Sequence, residues 1–186
     1  MASKPPVAVY EACVLYPFHL RNVLVQCAFD GLVEARWSDD IHDEWIRNLA
    51  ANTPSLSIER LIATRDRMKA VLPEADVTTY RPLVNDLKLP DPGDRHVLAA
   101  AIAGRAPVIV TWNLKDFPPQ DLQPYGVTSQ SPDDFLSDLH KRIAQKPSCN
   151  CHVFAVEFRC RRHVVRFSPQ FTGFAGEHAF VEPLRR

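Results

Sequence analysis

The run Val108-Ile109-Val110-Thr111 limits the possible folds more than any other feature of this chain. It is apolar on both alternating faces, as suits a strand covered on both sides rather than one with a face in water. Residues 7–16 have the same character and read as a second buried strand, with Pro17 at a favoured first helical position. Helix-length segments separate these runs. Leu20, Val23, Leu24, Cys27 and Ala28 recur at helical spacing and Gly31 closes the series. Residues 38–52 form a helix capped by Ser38, with Asp39 and Asp40 at its positive end and Ile41, Trp45 and Leu49 as its buried stripe. Ser57 caps a third helix, with Ile58, Leu61, Ile62, Met68, Val71 and Leu72 facing inward. Residues 76–80 read as a short strand, residues 95–104 as an Ala-rich helix, and Ser131-Pro132-Asp133-Asp134 as a helix start followed by Phe135, Leu136, Leu139 and Ile143.

Helices alternating with short apolar strands imply an α/β fold: a mainly parallel central sheet between two helical layers. This domain takes in residues 1–145. Residues 146–186 are rich in Arg, Phe and Cys, lack periodicity, and read as an irregular tail without a core of its own. Its Cys149, Cys151, His152, Cys160 and His163 do not follow the paired spacing of a zinc site. Arg159, Arg161, Arg162 and Arg166 in the same stretch read as a solvated charged segment.

Lys+Arg and Asp+Glu balance at 22 each, so no global basic field announces nucleic acid. A nucleic-acid enzyme of this composition has to work through a metal ion or a local patch. No apolar run approaches the roughly 20 residues that span a bilayer, and residues 1–6 lack the apolar core of a signal peptide. The expected address is the cytoplasm, where cysteines are free thiols; Cys13 and Cys27 fall on apolar segments and read as inert.

Four acids stand where an open α/β sheet gathers its sites, at strand ends and helix starts. Glu11 is in or just after the first strand, Glu44 is on the second helix, Asp94 opens the Ala-rich helix, and Asp116 follows the Val108 strand. Hard divalent cations take oxygen ligands, and a cluster of carboxylates repels itself unless a cation joins it. Any α/β domain also places acids at helix starts as plain caps, and spacing alone favours that reading for Asp91 and Asp94.

The residues around these acids resemble a known family. Glu11-Ala12-Cys13-Val14-Leu15-Tyr16-Pro17 resembles the opening motif of PIN-domain proteins. Ala35-Arg36-Trp37-Ser38 with Asp43-Glu44-Trp45 resembles the second motif. The third is matched by Leu89-Pro90-Asp91-Pro92-Gly93-Asp94-Arg95-His96-Val97-Leu98-Ala99-Ala100-Ala101, and the fourth by Ile109-Val110-Thr111-Trp112-Asn113-Leu114-Lys115-Asp116-Phe117. The motifs stand in family order over roughly residues 7–140 and are most similar to the VapC-like branch of toxin ribonucleases.

The resemblance implies a Mg²⁺- or Mn²⁺-dependent endoribonuclease, the toxin of a toxin–antitoxin pair. Its implied catalytic and metal-ligating residues are Glu11, Glu44, Asp94 and Asp116, with Thr111 and Asn113 in support. A small antitoxin protein and a homodimer are the partners it implies. The pattern departs at Glu11, where the family has Asp; the extra methylene shifts the carboxylate by about 1.5 Å. That departure keeps an alternative open, a catalytically impaired PIN fold that binds RNA or protein. A receiver-like phosphoacceptor fits less well, because Glu11 has no second acid beside it.

Arg36, Arg95 and Lys115 are the candidate contacts to RNA phosphate, with His96 beside them. An exposed helix face is the plainer account of Arg95 and His96. Trp37 and Trp45 could stack on bases, but Trp45 lies on the apolar stripe and reads as core.

Overall fold

The computed structural model describes residues 4–144 and the residue pairs 158–159 and 164–165. Four parallel strands make the central sheet: β1 (Val7–Tyr10), β2 (Glu34–Arg36), β3 (Val108–Val110) and β4 (Thr128–Gln130), in spatial order β2-β1-β3-β4. Val9 stands opposite Arg36 on one side and Ile109 on the other, and Ile109 stands opposite Ser129. The two central strands carry the expected apolar runs; Ala8, Val9, Tyr10, Ile109 and Val110 are wholly buried. The edge strands are polar, which is why periodicity does not reveal them.

The helices are α1 (Ala12–Leu15), α2 (Phe18–Phe29), α3 (Asp39–Asn52), α4 (Ile58–Val71), α5 (Arg95–Ala103), α6 (Pro119–Leu122) and α7 (Pro132–Ala144). They cover both faces of the sheet, giving the three-layer α/β/α arrangement. Local chemistry sets their ends. Ser38 and Ser57 accept the backbone N–H groups of Ile41 and Arg60, and Ser131 accepts that of Asp134, so each caps its helix. Gly31, at φ 71°, ends α2: its N–H reaches Ala28 O and that of Leu32 reaches Cys27 O. Small residues let α5 lie close to its neighbours. A Cβ on Gly104, just past its end, would stand 2.9 Å from both Ala100 O and Val77 Cγ2.

Three expected elements differ. The first strand stops at Tyr10 rather than running to residue 16, because the Glu11 carboxylate accepts the N–H of Cys13 and turns the chain into α1. Residues 76–80 form no strand; pairing amounts to one bridge between Trp37 and Asp76, after which the chain enters the 3-10 turn Arg81–Asp86. Ile58 is exposed, since it is the first residue of α4 and reaches no neighbouring layer.

Arg21 is buried with a charge and ties three helices together. Its Nη1 donates to Leu15 O at 2.6 Å, capping α1, and its guanidinium lies 4.7 Å from the Trp45 ring of α3. Burial pushes it down to about 10. Trp37 and Trp45 are fully buried, so both are core and neither is available to a base. His42 is buried between them, takes a hydrogen bond from Trp45 Nε1 at its Nδ1, and is held neutral, down to about 3, by burial. No helix among the described residues is long and apolar enough to cross a membrane.

The chain divides into two units, Met1–Leu139 and His140–Arg186. Of the second, beyond the end of α7, the structure describes two short antiparallel strands, β5 (Phe158–Arg159) and β6 (Val164–Val165). The Cys and His positions of the tail and the side chains of its arginines lie outside the described residues, as does the side chain of Ile143.

Candidate active site

The chain leaves β1 toward β2 on one side and leaves β3 toward β4 on the other. The strand order therefore reverses between β1 and β3, and a crevice opens at their carboxyl ends. Tyr10 pairs with Val110 in the last register position, so Glu11 and Thr111 are the next residues out, side by side at the crevice floor.

There they are joined. Thr111 Oγ1 donates to Glu11 Oε2 at 2.8 Å, Cys13 N donates to Glu11 Oε1 at 3.1 Å, and the Cys13 thiol also donates to Oε2. Asn113 N in turn donates to Thr111 Oγ1 at 2.8 Å. Glu11 is only 2% exposed. An ionised carboxylate offers about four acceptor positions; three are taken here, which leaves one unassigned among the described residues. One Glu11 carboxylate thus caps α1 and bonds Thr111 across the sheet. Cys13 was expected among buried inert residues; it is half-buried and belongs to this group. Burial, with Glu11 beside it, pushes its thiol up to about 12, so it stays a thiol that donates to the carboxylate.

The other acids surround Asp94. Its carboxyl is pushed up to about 7, first by burial and then by the negative charges of Glu11, Asp91, Glu44 and Asp116. Asp91 behaves as the cap that spacing suggested, accepting Gly93 N at 2.7 Å. Asp94, at the start of α5, makes no capping bond. Among the described residues neither Asp94 nor Asp116 has an ion-pair partner. Glu44 Oε2 stands 3.4 Å from His96 Nε2. Burial would lower the His96 imidazole, but Glu44 and a contact with Gly93 O outweigh it and raise the imidazole above its usual range. The Glu44–His96 contact links α3 to α5 and was not legible from an assumed exposed helix face.

The basic candidates separate. Arg36 is committed to Glu34 Oε2 at 3.1 Å and to Ala35 O at 2.8 Å, so it is not free for phosphate. Arg95 is half-buried, with its Nε sheltered and unbonded. Lys115 is exposed on the loop after β3.

The donor set of the crevice is carboxylate oxygen, which suits Mg²⁺ or Mn²⁺. Among the described residues, no three His, Cys, Asp or Glu side chains are drawn together at ligand spacing. Mg²⁺ ordinarily takes one or two carboxylates and keeps water in its other positions. The arrangement fits such a water-rich ion: like charges gathered, one acceptor position of Glu11 unassigned and, among the described residues, no basic partner for Asp94.

Two comparisons with known proteins agree with this geometry. The family model of the PIN domain matches residues 8–115, from β1 to the loop after β3. A Mycobacterium tuberculosis (strain ATCC 25618 / H37Rv) protein with the provisional name ribonuclease VapC50 is 62% identical over 45 residues, which are 24% of this chain. The matched stretch spans 27% of that relative's own length.

Proposed function

The chain belongs to the PIN-domain family, and on that premise we propose that its crevice hydrolyses RNA phosphodiester bonds with a bound Mg²⁺ or Mn²⁺. The observation that carries the reading is the gathering of Glu11, Glu44, Asp94 and Asp116 charge at the carboxyl ends of β1 and β3, with no basic partner for Asp94 among the described residues. Asp94, Asp116 and the unassigned position of Glu11 would hold the ion, and Glu44 would orient its waters. When bound, the cation supplies a deprotonated water at neutral pH and offsets the charge developing on the phosphate.

The chain's own residues do the positioning. Thr111 and Cys13 fix the Glu11 carboxylate from two sides. Asn113, bonded to Thr111 through its backbone, sits at the crevice rim. His96 holds Glu44 against α5. Lys115 and Arg95 are the cations nearest in sequence to these acids, and they would meet phosphate. The match to a relative named as a ribonuclease supports RNA as the substrate class; a toxin role restrained by a small antitoxin protein, a homodimer and a cytoplasmic setting belong to the same proposal.

The test is RNA cleavage by the full chain in Mn²⁺ and Mg²⁺, beside EDTA and the Asp94→Asn variant. Metal-dependent cleavage that Asp94→Asn removes is the expected result. Cleavage that survives the substitution overturns the site. A second reading, an impaired PIN fold that binds RNA without cutting it, draws on the nearly complete burial of Glu11. An inactive wild type whose Glu11→Asp variant cuts RNA would decide for it.

A further inference from the structure

Residues 112–115 form a short loop clamped at both ends. Thr111 and Phe117 are wholly buried on either side of it. Trp112 N donates to Cys13 Sγ at 3.2 Å, Asn113 N to Thr111 Oγ1 at 2.8 Å, and Asp116 N to Asn113 O at 2.9 Å. Two of these acceptors are the very groups that hold Glu11. The loop backbone is therefore fixed to the crevice, while its four residues lie in solvent.

The side chains it shows are unusual for a solvated loop. Trp112 is 44% exposed and Leu114 43%. Single exposed apolar residues are ordinary, but these two lie on one tight turn beside the acids. The chain's other tryptophans, Trp37 and Trp45, are at 0%, so only this one offers its face.

The chemistry of the loop indicates what that face meets. Lys115 is exposed on the same turn as Trp112, so the loop can offer a strand a cation for phosphate and an aromatic face for a base. Stacking on such a face is indifferent to charge and accepts any base. A base within a duplex is already stacked on both sides and has no face to give.

We propose that Trp112 is a stacking platform for one unpaired base of the RNA, setting the strand in place beside the acids. The inference rests on the ribonuclease reading and adds to it a residue that positions the strand. Lys115, three residues on, takes an adjoining phosphate.

The experiment uses the full chain. Intrinsic fluorescence is followed while oligouridylate, oligoadenylate or a 12-pair RNA duplex (a length of about one turn) is added in EDTA. With Trp37 and Trp45 buried, quenching reports Trp112. Affinity is measured separately by polarisation of a labelled strand, and KM for cleavage is measured in Mn²⁺. Single strands should quench the wild type and the duplex should not. Trp112→Phe should lose the quenching yet bind within about threefold of wild type, since a ring remains. Trp112→Ala should weaken binding and raise KM by roughly tenfold or more, with an unchanged unfolding midpoint showing that the fold is intact. Equal affinity and KM in Trp112→Ala, with cleavage retained, overturn the stacking role, leave the ribonuclease reading standing, and assign the ring to a protein contact. Equal quenching by duplex overturns the assignment of Trp112 to an unpaired base. A wild type that neither binds nor cuts RNA overturns both readings.

Discussion

Two groups of acids live in opposite company. On α3, Asp39, Asp40 and Asp43 each face a base: Lys69, Arg81 and Arg65. Glu44 of the same helix joins Glu11, Asp94 and Asp116, and among the described residues the ion-pair partner of this group is the His96 imidazole on Glu44. The Lys69 hydrogen bond holds Asp39 below the usual carboxylate range, against a smaller opposing effect of burial. Asp94 is lifted to about 7 by burial and its acidic neighbours. The same functional group thus stabilises the fold in one setting and strains it in the other. Self-repulsion retained beside a sheet's switch point is the mark of a site that awaits a cation.

The sharpest way to break this contrast is to add metal. A cation that binds the folded state at a hundredfold its dissociation constant stabilises it by about 2.7 kcal/mol. Thermal unfolding with and without Mn²⁺ should show that gain in the wild type. Asp94→Asn should lose it, and Asp39→Asn should keep it. An equal Mn²⁺ response in all three proteins would mean that the two acid groups do not differ as described.

Nearly as large an effect is expected at the crevice floor. Glu11→Ala removes the acceptor shared by Thr111 Oγ1, Cys13 N and the Cys13 thiol, and takes the cap from α1. Leaving sheltered donors without a partner costs about 2–3 kcal/mol in all. Urea unfolding in EDTA reads it directly. Thr111→Val should cost about 1 kcal/mol by the same argument, because Cys13 still holds the carboxylate.

That arrangement marks the limit of what the chain's pattern made legible. The caps at Ser38, Ser57 and Ser131 could be read because each involves residues three positions apart. The central strands could be read because both their faces are apolar. The four acids were visible as motifs, yet their coupling was not. The Thr111–Glu11 bond joins residues 100 positions apart, and no periodicity reports such a contact. In the sequence Glu11 is an acid displaced by one methylene; the fold shows that its carboxylate reaches Thr111 while capping α1. The edge strands β2 and β4 escaped notice because their side chains are polar, and their pairing depends on the strands beside them.

The pH dependence of stability should divide along the same line. A carboxylate raised in the folded state binds protons more tightly there than in the unfolded chain, so stability falls as pH rises from about 3.8 to about 7. Asp94 therefore weakens the metal-free protein at pH 7 and above. Because the group is half-exposed, solvent screening reduces the effect to roughly 1 kcal/mol. In EDTA at pH 8, Asp94→Asn should be more stable than wild type by about that amount, and the difference should vanish near pH 4. A variant no more stable at pH 8 would show that the acidic neighbours do not press on Asp94.

The smallest effect tests the paired acids of α3. Asp39 is depressed in the folded state, so its contribution is present above the unfolded value near 3.8 and is lost as pH falls through the lower folded value. Asp39→Asn should accordingly destabilise the protein at neutral pH, opposite in sign to Asp94→Asn. The pair is largely solvated, and Lys69 keeps a second partner in Asp76 at 2.9 Å, so the loss is only about 0.5 kcal/mol. It should shrink in high salt, where exposed charges are screened. The gain from Asp94→Asn should shrink less, because burial, the first cause of its shift, does not depend on salt. Paired denaturation curves at low and high salt distinguish the two, and an equal salt response at both positions would mean that both groups are governed by exposed charge alone.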